Sequence, residues 1–163
     1  MNKNIDGKKY SMILKDELKE QVSKMVIKPC LVVISVGDDP ASKVYVGQKE
    51  KCANYIGINY KHLHFDCISE NDLINEIKKL NDDRTISGVI VQLPLPKGFN
   101  ETKIINYIDP NKDVDGLTEL NAGKLVNNED CLSSCTPTGI MKLLEMYNVE
   151  IEGKNAVVVG RSI

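Results

Sequence analysis

The sequence has no tryptophan, only two phenylalanines and only two histidines among 163 residues. It has no apolar run near the roughly 18 residues that a membrane span needs, so no membrane partner is expected. The opening stretch MNKNIDGKKYSMILKDELKE lacks the apolar core of a secretion signal, and a cytoplasmic location is the expectation. An excess of one charge is missing as well. Lysine and arginine number 21 against 23 aspartates and glutamates, scattered along the chain for a net charge of -2, which excludes the basic footprint of a nucleic-acid binder. Repeats, low-complexity tracts and flexible linkers are also absent. Hydrophobic content of 42% and charged content of 27% describe an ordinary globular chain near the usual size of one domain.

Cysteine is present but unpaired in pattern. Five residues at irregular spacings make no disulfide framework and read as reduced thiols. Cys131 and Cys135 would supply half of a metal clip, but no second pair follows and His62 and His64 lie far upstream, so no metal is expected.

What the chain does contain is an alternation. Tyr10, Ile13, Leu14, Leu18 and Val22 recur at helical spacing over 7–25. CLVVISVG at 30–37 is a short β-branched run closed by glycine, which fits a buried strand. DDPAS then offers Asp39 or Ser42 as a cap and Pro40 for the first turn of a helix ending near Gly57. A strand over 59–65, a helix near 70–80, a strand over 87–92 and a short helix around 101–107 follow. DPNKDVDG at 109–116 is dense in turn formers, a helix is expected over 138–147 and a strand over 155–160. Helices alternating with strands predict an α/β fold, a parallel sheet covered by helices in three layers. Ligands of such sheets bind outside the carboxyl ends of the strands.

Two loops lie at that edge. One leads to Tyr45 and Lys49, four apart and hence on one face of their helix, and the other holds Gln92. Such a pair is common on solvated helix faces, and a terminal glutamine often does no more than satisfy loop backbone. Convergence on one edge favours function: a lysine partly withdrawn from water beside an amide and a phenol is suited to exchanging protons. Asp113 and Asp115 fit either turn capping or acceptance of a ligand's N–H groups. VVVGRSI reads as the start of a phosphate loop, with Gly160 for close approach, Arg161 for charge and Ser162 for a hydroxyl.

Taken in order, VGDDPASKVYVGQKEKCANYIGI, GVIVQLPLP, DPNKDVDG, SCTPTGI and VVVGRSI resemble the bifunctional methylenetetrahydrofolate dehydrogenase/cyclohydrolases of the FolD type. The resemblance implies a folate-binding catalytic domain over 1–118 followed by the beginning of a Rossmann-like NADP-binding domain over 119–163. By it, Lys49 is the catalytic lysine, Tyr45 stacks on the substrate and Gln92 orients the lysine. Ser42, Leu93 and Pro94 complete the substrate pocket, Asp115 accepts from the pterin, and Gly160, Arg161 and Ser162 belong to the NADP site. The implied chemistry belongs to one-carbon metabolism: NADP-dependent oxidation of 5,10-methylenetetrahydrofolate, then hydrolysis of the methenyl product to 10-formyltetrahydrofolate. The implied partners are tetrahydrofolate derivatives and a second copy, as a homodimer.

Two departures stand out. Ser134 occupies the place before Cys135 where the family commonly has proline. Family members also run well past Ile163, so a folate-binding module or degenerate subunit without dehydrogenase activity is the alternative expectation. Short-chain dehydrogenases share the tyrosine–lysine spacing but need a glycine-rich loop upstream of it, which ISVGDDPAS does not supply.

Overall fold

The structure is a computed structural model that describes residues 4–160. Its first helix, α1 (Gly7–Ser23), starts where the Asp6 carboxylate accepts from Lys9 N–H. Strand β1 (Cys30–Val36) is buried along nearly its whole length, as expected of a central parallel strand covered on both faces. Helix α2 (Pro40–Ile56) is entered through an Asp39 cap, whose Oδ2 accepts from Ser42 N–H at 2.7 Å, with proline at the first helical position. It closes at Gly57 in the left-handed conformation.

Strand β2 (Asn59–Phe65) pairs in parallel with β1 in unbroken register from Cys30 opposite Asn59 to Val36 opposite Phe65. Helix α3 (Glu70–Asp82) then crosses to β3 (Gly88–Val91), which pairs with the other edge of β1, giving the order β2-β1-β3. Period-two alternation sends Val32, Ile34 and Val36 to one face, where they meet Leu73, Ile74 and Ile77 of α3. Ile104 and Ile108 at and beyond α4 (Glu101–Ile105) complete that core. On the opposite face Val33 and Ile90 pack against Val46 of α2, and α1 lies outside α2. Each fully buried aliphatic side chain contributes about 1.5–3 kcal/mol, so the two small cores hold the three layers together.

The free edge of β3 is covered by the 109–115 loop. Val89 N–H donates to the Lys112 carbonyl at 2.8 Å, and Val89 bridges Asp113 in parallel. That single bridge makes DPNKDVDG run alongside the sheet, a feature that turn-forming residues do not announce. Val114 lies so close to Gly88 that a Cβ there would come within 2.5 Å of Val114 Cγ1. Two helices follow, α5 (Glu119–Val126) and α6 (Cys135–Met146).

Three expectations change. Helix α5 has no counterpart in the sequence reading. Helix α6 begins at Cys135 rather than 138, because Pro137 falls in its first turn, where no intrahelical N–H is required. The strand expected over 155–160 does not form: Val157, Val158 and Val159 are 89%, 93% and 95% exposed. A strand exists only against a neighbour, and among the described residues none lies beside this segment. No helix among the described residues is long and apolar enough to cross a membrane.

Candidate active site

The carboxyl ends of β1 and β3 open toward α2, and the fold brings Lys49 and Gln92 together there. Gln92 N–H donates to the Ile34 carbonyl, so the residue continues the sheet for one more hydrogen bond before the prolines intervene. Its side-chain Nε2 donates to the Leu93 carbonyl at 2.7 Å, which fixes the direction of the amide. Oε1 is thereby turned to the Lys49 ammonium, which donates to it at 2.7 Å. A lysine held by one neutral acceptor has an oriented amine with two further hydrogens to offer.

Tyr45 stands one helical turn before Lys49 and is 58% exposed, so its ring face is open to a ligand. Ser42 is buried at the start of the same helix, and its hydroxyl points to the Leu93 carbonyl at 3.5 Å. Leu93 packs against the α3-side core while Pro94, joined to it by a cis peptide bond, is exposed.

The two aspartates of KDVDG separate cleanly. Asp113 is buried and accepts from Leu117 N–H, Thr118 N–H and Asn121 Nδ2 at 3.2, 2.8 and 3.0 Å, which is turn and helix-start duty. Asp115 is half-buried and makes no such bond among the described residues. Burial pushes its carboxyl above the ordinary aspartate range; the nearby Lys49 charge opposes that shift and Asp113 adds to it. The Lys49 charge therefore bears on Asp115.

Cys135, for which the sequence offered only a motif position, belongs to the same group. Its Sγ lies 3.6 Å from the Val114 carbonyl, to which the S–H points. Burial, then the Asp115 charge, pushes the thiol pKa up while Lys49 pulls it down, so it remains a thiol at neutral pH. Gly116 makes this closeness possible: it adopts φ +63°, and a Cβ there would lie 2.6 Å from Ser133 C and 2.7 Å from Ser134 N. Nothing local in the sequence signalled that Cys135 would meet the DVDG loop, because the two are joined only through the fold.

A cavity of ≈ 450 Å³ adjoins this group: Ser42 and Gln92 line it together with Ser35, Lys43, Glu50, His62 and His64. Of the expected nucleotide residues, Gly160 is exposed with nothing within 4 Å of where a Cβ would be, while Arg161 and Ser162 lie outside the described residues.

Comparison with known proteins bears on the family of the chain. Residues 5–115 match the model of the tetrahydrofolate dehydrogenase/cyclohydrolase catalytic domain, and residues 134–163 match that of its NAD(P)-binding domain. The Bifunctional protein FolD of Clostridium novyi is 44% identical over 167 residues, covering 99% of this chain and 60% of that protein. Among solved structures, the bifunctional FolD enzyme of Campylobacter jejuni superposes with a TM-score of 0.93 at 41% identity, over 97% of this chain and 58% of that one. The Trypanosoma brucei FolD, solved with NADP cofactor and an inhibitor, gives a TM-score of 0.85 at 30% identity, over 92% of this chain and 53% of its own. The chain spans about 60% of the length of the curated relatives it matches. The fold, the order of its motifs and these matches agree: the chain belongs to the tetrahydrofolate dehydrogenase/cyclohydrolase family.

Proposed function

We propose that this chain supplies the folate-binding and proton-transfer half of a bifunctional enzyme that oxidises 5,10-methylenetetrahydrofolate and hydrolyses the methenyl product to 10-formyltetrahydrofolate. The observation that carries the reading is the Lys49–Gln92 bond of 2.7 Å at the sheet's carboxyl edge, with Asp115 near enough to feel the Lys49 charge. Asp115 accepts from the amino and ring N–H groups of the pterin, a paired donor edge suited to a carboxylate. Tyr45 covers the ligand with its exposed ring, and Ser42, Leu93 and Pro94 form the wall beside it.

Each step uses these residues differently. In the oxidation the chain's contribution is to hold the one-carbon bridge in place, since orientation alone removes much of a barrier. NADP, when bound, accepts the hydride; the match to a nucleotide-binding domain over 134–163 supports a site for it. In the hydrolysis, water adds to the methenyl carbon, a proton leaves the attacking oxygen, and one ring C–N bond opens. Lys49, aimed by Gln92, moves those protons. On this reading residues 1–118 form the catalytic unit and 119–163 begin the nucleotide unit. The enzyme works in one-carbon metabolism, in the cytoplasm and as a homodimer, with tetrahydrofolate derivatives as its ligands.

The test is Lys49→Met, which keeps the stem and removes the amine. Methenyl hydrolysis, corrected for its spontaneous rate, should fall by at least about 100-fold, the scale of lost acid–base catalysis. Circular dichroism should show an unchanged fold, and turnover near wild type would remove Lys49 from the mechanism.

A further inference from the structure

The chain's two histidines lie on one strand, two positions apart. Residues so spaced project from the same face, and β2 sets His62 and His64 opposite Val33 and Ser35 of β1. Between the rings stands the Ser35 hydroxyl, 2.8 Å from His62 Nε2 and 2.9 Å from His64 Nδ1. A hydroxyl carries one hydrogen, so it donates to one imidazole and accepts from the other. The far side of His64 decides which. Its Nε2 lies 3.1 Å from the Asp66 carboxylate, which accepts, so Nε2 bears the hydrogen and Nδ1 presents a lone pair to Ser35. Ser35 therefore donates to His64 and accepts from His62 Nε2–H. That leaves the lone pair of a neutral His62 on Nδ1, which has no hydrogen-bond partner among the described residues.

Every hydrogen bond in this series runs the same way, from His62 through Ser35 and His64 to Asp66. One end borders the candidate active site. Ser35, His62 and His64 line the cavity of ≈ 450 Å³ that Ser42 and Gln92 also line, and Gln92 holds the Lys49 amine. At about 30 Å³ per molecule, that cavity takes on the order of ten waters. The other end meets solvent, for the Asp66 side chain is 99% exposed. Burial, then the His64 charge, holds His62 below the ordinary histidine range against the pull of Glu50, so its ring is neutral at neutral pH and able to accept. Lys43, which lines the same cavity, is paired with Asp38.

We propose, resting on the folate reading, that this series is the proton exit for the hydrolysis. The methenyl centre carries one positive charge and its formyl product none, so each turnover leaves one proton over. Lys49 takes a hydrogen from the attacking oxygen and yields one of its own to water beside Gln92, and that water protonates His62 at Nδ1. His62 then gives its Nε2 hydrogen to the Ser35 oxygen, Ser35 passes its own to His64 Nδ1, and the Nε2 hydrogen of His64 leaves by way of Asp66 to water. One proton enters and one leaves, and no bond except those to hydrogen changes. Turning of the Ser35 hydroxyl and exchange of the imidazole hydrogens with water reset the series. These residues act through Lys49 and are assigned no contact with the folate.

Methenyl hydrolysis by the full chain, at neutral pH and low buffer concentration and corrected for the rate without protein, tests it. His62→Ala, His64→Ala and Ser35→Ala should each slow turnover by about tenfold, less than the roughly 100-fold of direct acid–base catalysis, because the proton keeps slower ways out. Added free imidazole should restore the rate saturably, since a diffusing acceptor replaces the series; a merely structural defect would not respond. Affinity for a folate analogue should stay unchanged, which shows the site intact. Ser35→Ala leaves His62 in place and so separates the series from release by His62 alone. Unchanged turnover in Ser35→Ala, or slowing that imidazole does not relieve, would overturn the proposal. Lys49→Met in the same assay reports on the folate reading: where it abolishes hydrolysis and the other variants do not slow it, the exit alone fails. Hydrolysis indifferent to Lys49→Met, or none above the spontaneous rate in wild type, would remove both.

Discussion

Asp113 and Asp115 stand two positions apart with the same side chain, and the structure gives them opposite duties. Asp113 spends its oxygens on Leu117, Thr118 and Asn121, whereas half-buried Asp115 makes no such bond among the described residues. Residue type and spacing left the two interchangeable, and only the family resemblance singled out Asp115; what separates them physically is the parallel bridge between Val89 and Asp113. Lys49 and Gln92 were easier to read: helical spacing and the end of an apolar strand place both at one edge.

The Asp115 carboxylate yields a prediction with a definite sign. Burial raises the Asp115 pKa, so its charged form is disfavoured in the native state relative to the unfolded chain. The contribution of Asp115 to native stability should fall as pH rises from the ordinary aspartate value through the raised one, while folate binding, which needs the carboxylate, should strengthen over the same range. Asp115→Asn should remove both contributions, read as the difference between wild type and variant at each pH. Asp115→Ala should weaken binding of a folate analogue by about 1.5–3 kcal/mol at neutral pH, the range for a charged acceptor. Titration across pH, with thermal melts alongside, checks these outcomes; an unchanged dissociation constant would return Asp115 to turn duty.

Helices with an apolar stripe and a capping residue were readable to within a few positions, α2 and α3 most closely. Helix α5 was not, for a physical reason. Its sequence ELNAGKLV has a central glycine and leaves Leu120, Leu125 and Val126 exposed, so no stripe marks it. What holds it is polar and distant: Asn121 Nδ2 donates to the Pro110 carbonyl at 2.9 Å and to Asp113 at 3.0 Å. The segment 155–160 failed in the opposite way, since its β-branched residues favour a strand but nothing among the described residues pairs with it.

The joint between the DVDG loop and the start of α6 can be tested by one methyl group. Gly116→Ala places a Cβ against the backbone of Leu132, Ser133 and Ser134 at a positive φ. Neither strain can be relieved by a side-chain rotation. The substitution should lower stability by about 1–3 kcal/mol and, by shifting the adjoining Asp115, should raise the KM for folate more than it lowers kcat. Denaturant unfolding and steady-state kinetics read the two effects separately. Stability and KM near wild type would show that the loop accommodates the methyl by moving as a unit.

Three parallel strands with helices on both faces suffice to build the cleft, because its groups come from the ends of β1 and β3, the first turns of α2 and the loop that covers β3. Every buried side-chain nitrogen and oxygen among the described residues has a hydrogen-bond partner. It should therefore recognise a folate without requiring the nucleotide. Amide-resolved NMR titration of the chain with a tetrahydrofolate analogue, in the absence of NADP, tests that placement. The expected result is saturable shifts concentrated at Tyr45, Lys49, Gln92 and Asp115, lost in Asp115→Ala. Shifts confined to residues away from the sheet's carboxyl edge, or persisting unchanged in that variant, would contradict the assignment of the site.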